Sequence, residues 1–164
     1  MEIHNNFKGI YRDPFPTLMF FTALISDQLS KLLIIAYLPV GQSWPSNGVF
    51  RLTHTWNTGA AFSLFQDRGA ILTGVAVVAV IFILIIYKYL ENPPLLIRLA
   101  FGLQMGGAIG NLIDRFRLGY VTDFIDVGWW PVFNIADSSI VMGITVMAFY
   151  FTFFRNRNPK TDDV

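Results

Sequence analysis

Four long apolar runs, broken by short polar stretches, organise this chain. A helix needs about 20 mostly apolar residues to span the hydrocarbon of a bilayer, and each run is near that length. The first extends from about Phe15 to Leu38 and is interrupted by Asp27 and Lys31. The second, Gly69 to Tyr87, carries no charge and is closed by Lys88. The third, Leu95 to Ile113, holds only Arg98 and ends at Asp114; the fourth, about Phe133 to Phe154, holds only Asp137. The first run is longer than the apolar core of a cleaved signal peptide, its front is weakly basic and no A-x-A site follows it, so a retained helix is expected. Between the first two runs, Val49–Trp56 is rich in β-branched and aromatic residues and predicts a strand, with Gly41, Pro45 and Gly48 marking turns before it. The apolar stretch Ala60–Phe65 is expected to lie at the membrane surface.

Composition agrees with this pattern. Of 164 residues, 54% are hydrophobic and 14% charged, and the mean hydropathy is +0.50. A soluble domain carries about 25% charged residues, so the chain reads as one integral all-α membrane domain over residues 1–164. The formal net charge of +1 and the lack of any basic stripe argue against nucleic acid as a partner. There is no cysteine, which excludes disulfides, thiolate metal sites and a cysteine nucleophile. With only His4 and His54 as imidazoles, neither a metal nor another cofactor is expected.

Charge also orients the helices. Four spans put both termini and the second-to-third connection on one side, with Lys8, Arg12, Lys88, Arg98, Arg155, Arg157 and Lys160. The other side has Arg51, Arg68, Arg115 and Arg117, so the bias is seven against four. Basic residues are enriched on the cytoplasmic side. Both termini are therefore expected in the cytoplasm, with 39–68 and 114–132 facing outward. Trp44, Trp56, Trp129 and Trp130 all fall on that outer side, as interfacial aromatics should.

Against this background the acids stand out. Asn111-Leu-Ile-Asp114 and Asn134-Ile-Ala-Asp137 each place an amide and a carboxylate on one helix face, and Asp123 lies between them in Val121-Thr-Asp-Phe-Ile-Asp126. The expected topology ends the third helix at Asp114, sets Asp137 one turn into the fourth and leaves Asp123 in the joining loop, so all three meet near the outer face. Two close carboxylates share a proton, which lets one act as acid and the other as base on a water molecule. From the residues alone, Asp123 and Asp137 fit proteolysis, proton conduction or structural pairing. Asp114 is either a cap or an ion-pair partner beside Arg115, or part of that chemistry. Asp126 reads as loop or surface. Asp27 and Lys31 stand at i,i+4 in the favourable order for an internal ion pair. Asn57 and Gly59 form a polar, flexible turn above the membrane. Gly102, Gly106 and Gly110 predict a smooth face for close helix packing. His54 is read as structural.

Five segments then occur in order: Asp27-Gln-Leu-Ser-Lys31, Asn57-Thr-Gly-Ala-Ala-Phe62, Gly106-Gly-Ala-Ile-Gly-Asn111-Leu-Ile-Asp114-Arg115, Val121-Thr-Asp123-Phe and Phe133-Asn134-Ile-Ala-Asp137. Together they resemble the bacterial lipoprotein signal peptidases, or type II signal peptidases, over nearly the whole chain. The resemblance implies an intramembrane aspartic endopeptidase of the bacterial cytoplasmic (inner) membrane. Such an enzyme removes the signal peptide from diacylglyceryl-modified prolipoproteins just before the lipidated Cys, and is inhibited by the cyclic peptide globomycin. It implies four transmembrane helices, a small extracytoplasmic β-cradle and a short interfacial helix at Ala60–Phe65. Asp123 and Asp137 match the catalytic acids. Asn57, with Gly59 in the same motif, Asn111, Arg115 and Asn134 match residues lining the substrate site, and Asp27, Lys31 and Asp114 match supporting positions. Its partners would be lipidated prolipoproteins, membrane lipids and globomycin-type inhibitors. The rival class is a small proton-coupled transporter or channel subunit using Asp27, Asp114 and Asp137 as a relay; a third is a non-enzymatic scaffold.

Overall fold

A computed structural model describes residues 14–59, 69–90 and 92–154. Its helices are α1 (Pro14–Tyr37), α2 (Gly69–Tyr89), α3 (Leu95–Leu118) and α4 (Ile135–Phe153). All four are long and apolar enough to cross a membrane, with mean hydropathies of 1.3 to 2.9. Strands β1 (Ser43–Trp44), β2 (Arg51–Asn57) and β3 (Val121–Asp126) form one antiparallel sheet in that order. The chain is thus a multi-pass membrane protein with a small sheet at one end of its bundle. The Ala60–Phe65 stretch lies outside the described residues.

The bundle buries charged and amide side chains beside a small apolar core and leaves most of its large apolar side chains outside. On α1 the buried stripe is Ala23, Asp27, Lys31 and Ile34, one residue every turn, and it includes both charges of the helix. Leu18, Phe21, Ile25, Leu29 and Leu32 are each at least half exposed on the opposite face. In water such a surface would drive aggregation; in hydrocarbon it is solvated, and the polar stripe is what must be covered.

α3 does the covering. It packs against every other helix and is the most buried of the four. Its small residues permit this, because lipid offers no hydrophobic drive and close van der Waals approach must supply the attraction. A Cβ on Gly106 would lie 2.5 Å from the Phe20 carbonyl oxygen and 2.8 Å from Ala23 Cβ, both on α1. At Gly110 it would lie 2.6 Å from Asp27 Oδ2, so this glycine makes room for a buried carboxylate.

The sheet is tied to the helix ends. β2 and β3 pair with Thr55 opposite Asp123 and Asn57 opposite Val121, and the register shifts between Leu52 and Thr55. His54 is buried, its Nδ1 2.6 Å from the Leu38 carbonyl oxygen just past α1, which agrees with a structural role. Asp126 is not a surface residue. Its carboxylate accepts from Arg51 Nη2 at 2.7 Å, Thr53 Oγ1 at 2.7 Å and the Gly128 N–H at 2.8 Å. The Thr53 hydroxyl, the Gly128 N–H and Arg51 hold its carboxyl below the usual carboxylate value.

Two expected boundaries move. α3 does not stop at Asp114 but runs one turn further to Leu118, where Gly119 at φ 81° caps it. Asp123 does not sit in a loop: Val121–Asp126 is a strand, since its neighbour β2 offers an open edge for the ladder.

Gly106→Ala tests the close approach of α1 and α3. On an open helix the change would stabilise by about 1 kcal/mol, whereas overpacking against fixed backbone costs about 1–3 kcal/mol. The unfolding midpoint in detergent is therefore expected to fall, and a midpoint unchanged or raised would show that the helices are not in contact there.

Candidate active site

Asn134 is the centre of the site. As N-cap of α4 its Oδ1 accepts the Asp137 N–H at 2.8 Å, while Asp137 Oδ2 accepts the Asn134 N–H at 3.3 Å. This reciprocal capping box fixes Asp137 in the first turn of α4, where the helix dipole favours negative charge. The Asn134 side-chain amide then donates outward, to Asp123 Oδ1 at 2.6 Å and to Asn111 Oδ1 at 3.1 Å. One fully buried amide therefore holds both acids.

Asn111 and Asn57 complete the cradle. Asn111, on α3, donates to Asp137 Oδ1 at 2.7 Å, so the amide of the first Asn-x-x-Asp motif serves the acid of the second. Asn57, at the end of β2, donates to Asp123 Oδ2 at 2.8 Å. Gly59, at φ 86°, turns its N–H onto Asn57 Oδ1 at 2.8 Å and so fixes the amide's orientation. Asp123 consequently has an amide N–H on each oxygen and is 2% exposed. Burial, and then the negative charge of Asp137, push its carboxyl up to about 7 against the pull of Asn57 and Asn134.

A second group of charges lies beneath. Lys31 Nζ is 2.8 Å from Asp27 Oδ2, 3.0 Å from Asp114 Oδ2 and 2.9 Å from Asn111 Oδ1, which uses all three of its hydrogens. Asp27 Oδ1 accepts the Ala136 N–H at 2.9 Å, satisfying a first-turn donor of α4. Asp114 Oδ2 accepts the Thr122 N–H at 3.1 Å and Oδ1 accepts Gln28 Nε2 at 3.2 Å. The expected internal Asp27–Lys31 pair is present. The Asp114 partner, however, is Lys31 on α1 rather than the neighbouring Arg115. Adjacent helix positions diverge: Asp114 faces inward, and Arg115 is half-buried at the rim, its Nη1 3.4 Å from the Asn111 carbonyl oxygen. Among the described residues Arg115 has no carboxylate at ion-pair distance, but it lies close enough to feel Asp137, Asp123 and Asp114 electrostatically.

Gln28 and Thr122 were missed by sequence reasoning. Gln28 carried a signal, a second polar residue beside Asp27 within an apolar run. Thr122 contributes only backbone to this network, through its N–H to Asp114 and its carbonyl to Asn134 at 3.4 Å, and no side-chain pattern could announce that. Among the described residues no cluster of three or more His, Cys, Asp or Glu side chains is placed to hold a metal ion.

Chemically, the cluster has four acids and two cations, Lys31 and Arg115. If every acid ionised, two negative charges would be uncompensated, and a proton shared between Asp123 and Asp137 halves that excess. Such a pair has an acid and a base at hand for a water molecule between them. Fold and site together describe a multi-pass membrane protein in which a buried carboxyl, Asp123, and a half-buried one, Asp137, share one amide network.

Comparison with known proteins narrows the class. A model of the family described as Signal peptidase (SPase) II matches residues 19–154. A lipoprotein signal peptidase of Moorella thermoacetica is 46% identical over 125 residues, covering 76% of this chain and 83% of that one. One of Halothermothrix orenii is 43% identical over 128 residues, covering 77% and 88%. A solved structure described as a bacterial membrane enzyme superposes with a TM-score of 0.77 at 27% identity, covering 85% of this chain and 93% of that one. The chain belongs to the signal peptidase II family and is a peptidase.

Asp123 is expected to titrate near pH 7, followed by its carboxyl infrared band with Asp123→Asn as reference. Asp137→Asn removes the like charge and is expected to move that midpoint down. A wild-type midpoint in the ordinary range near 4 would contradict it.

Proposed function

We propose that this protein is an aspartic endopeptidase that cleaves signal peptides from diacylglyceryl-modified prolipoproteins just before the lipidated Cys. The observation that carries the reading is the pair Asp123 and Asp137, drawn from β3 and α4 and held by amides of Asn57, Asn111 and Asn134. The names of the relatives, lipoprotein signal peptidase, support the substrate class.

The lipid-bearing segment enters laterally between the helices, its acyl chains remaining in the bilayer. One acid of the pair is protonated and polarises the scissile carbonyl. The other is ionised and takes a proton from a water molecule as that water attacks the carbonyl carbon. The protonated acid then supplies the proton that the leaving amine needs, and the pair returns to its singly protonated state. Asn111 and Asn134 keep the carboxylates oriented without charge compensation, which would suppress the shared proton. Asn57 is engaged with Asp123, and Arg115 at the rim is the group available to hold substrate backbone. A proton relay would string acids across the membrane; Asp27, Asp114, Asp123 and Asp137 instead gather in one hydrogen-bonded cluster with Lys31.

The reading extends to the cell. Both termini lie in the cytoplasm, the site faces the outer leaflet of the bacterial cytoplasmic membrane, and surrounding lipids and globomycin-type cyclic peptides are further partners.

The test is cleavage of a lipidated prolipoprotein in micelles. Asp123→Asn and Asp137→Asn are each expected to lower kcat at least about 1,000-fold, the scale of losing one member of a concerted catalytic set. Full activity in either variant would overturn the assignment.

A further inference from the structure

Lys31 contributes no atom to the carboxylate pair, yet it controls the amide that does. Asn111 Oδ1 accepts from Lys31 Nζ at 2.9 Å and from Asn134 Nδ2 at 3.1 Å. The other end of the same amide donates to Asp137 Oδ1 at 2.7 Å. The two ends of an asparagine amide are nearly equal in shape and opposite in hydrogen-bonding sense. A flipped Asn111 would aim its oxygen at the Asp137 carboxylate and its NH2 at an ammonium, which has no acceptor. The sense of this amide is thus set by a cation on a different helix.

We propose that Lys31 is a positioning residue for the Asp123–Asp137 pair, acting through Asn111 to hold the amide NH2 on Asp137. The inference rests on the peptidase reading of that pair.

The surroundings of Lys31 suit the role. It is 2% exposed, and its ammonium is held from two sides, by Asp27 of α1 and Asp114 of α3. Gln28 bridges the two acids, 3.1 Å from Asp27 Oδ2 and 3.2 Å from Asp114 Oδ1, so the cation has a fixed seat. Beyond the amides of Asn111 and Asn134 it faces Asp137 of α4 and Asp123 of β3, and its charge reaches Asp123. Arg115 of α3 is the other cation in the cluster. A salt bridge serving only stability would not need its third hydrogen on Asn111. Buried ion pairs are also weak contributors to net stability, because desolvation offsets their attraction.

Lys31→Met alone strands two buried carboxylates, so the test uses Lys31→Met/Asp27→Asn, which removes one charge of each sign; Asn at 27 keeps an oxygen for the Ala136 N–H. With lipidated prolipoprotein as substrate, the double variant is expected to keep KM within about twofold and to lose kcat about 100-fold, the scale of a reacting group misplaced by about 1 Å. Lys31→Arg is expected to retain kcat within about fivefold, since it restores donor and charge. In an Asn111→Ala background the same double change is expected to lower kcat no further, because Lys31 acts through Asn111. A kcat at the wild-type level, or an equal fractional loss with and without Asn111, overturns the proposal. If Asp123→Asn or Asp137→Asn is active, the peptidase reading of the pair has failed; if both are inactive while the Lys31 variant keeps its kcat, only the role of Lys31 has.

Discussion

The site end of this bundle is governed by the cost of keeping carboxylates out of water. A charged group in hydrocarbon must be paired, hydrogen-bonded or neutralised. Asp27 and Asp114 take the first solution, sharing one ammonium. Asp123 and Asp137 are denied it: their nearest hydrogen-bonding partners are neutral amides. Amides orient a carboxylate without cancelling its charge, so the repulsion of Asp137 adds to burial in pushing the Asp123 carboxyl up. The same physics that makes the cluster expensive thus divides it into an ion-paired half and a half held by amides.

Each of these contacts joins parts of the chain that are far apart. Asn134 bonds β3 and α3 from the cap of α4, Asp27 reaches from α1 to the first turn of α4, and Asn57 brings β2 onto Asp123. Small residues make the geometry possible, since Gly106 and Gly110 let α1 approach α3 closely enough for Lys31 to reach Asn111. Packing in the apolar layer and positioning in the polar layer are therefore one design: shifting α1 away from α3 would loosen the helices and release the amide that faces Asp137.

Much of this was legible in the chain. Apolar runs gave the four helices to within a few residues, because length and hydropathy dominate in a membrane, and the helical spacing of Asp27 and Lys31 gave their pairing. What was not legible depended on distant partners. Arg115 adjoins Asp114 in sequence, but the partner that reaches Asp114 is Lys31, on another helix. Asp126 looked like a surface acid because Arg51, which neutralises it, lies 75 positions earlier. The crossed pairing of Asn111 with Asp137 spans 26 positions and follows from helix docking, which no local motif encodes.

The most direct measurement is a structure of the Asp137→Asn protein with an uncleaved lipidated prolipoprotein peptide bound. The scissile carbonyl is expected between residues 123 and 137, within hydrogen-bond reach of both, with the acyl chains leaving between helices toward lipid. A scissile bond seated away from that pair, or against the Lys31–Asp114 group instead, would contradict it.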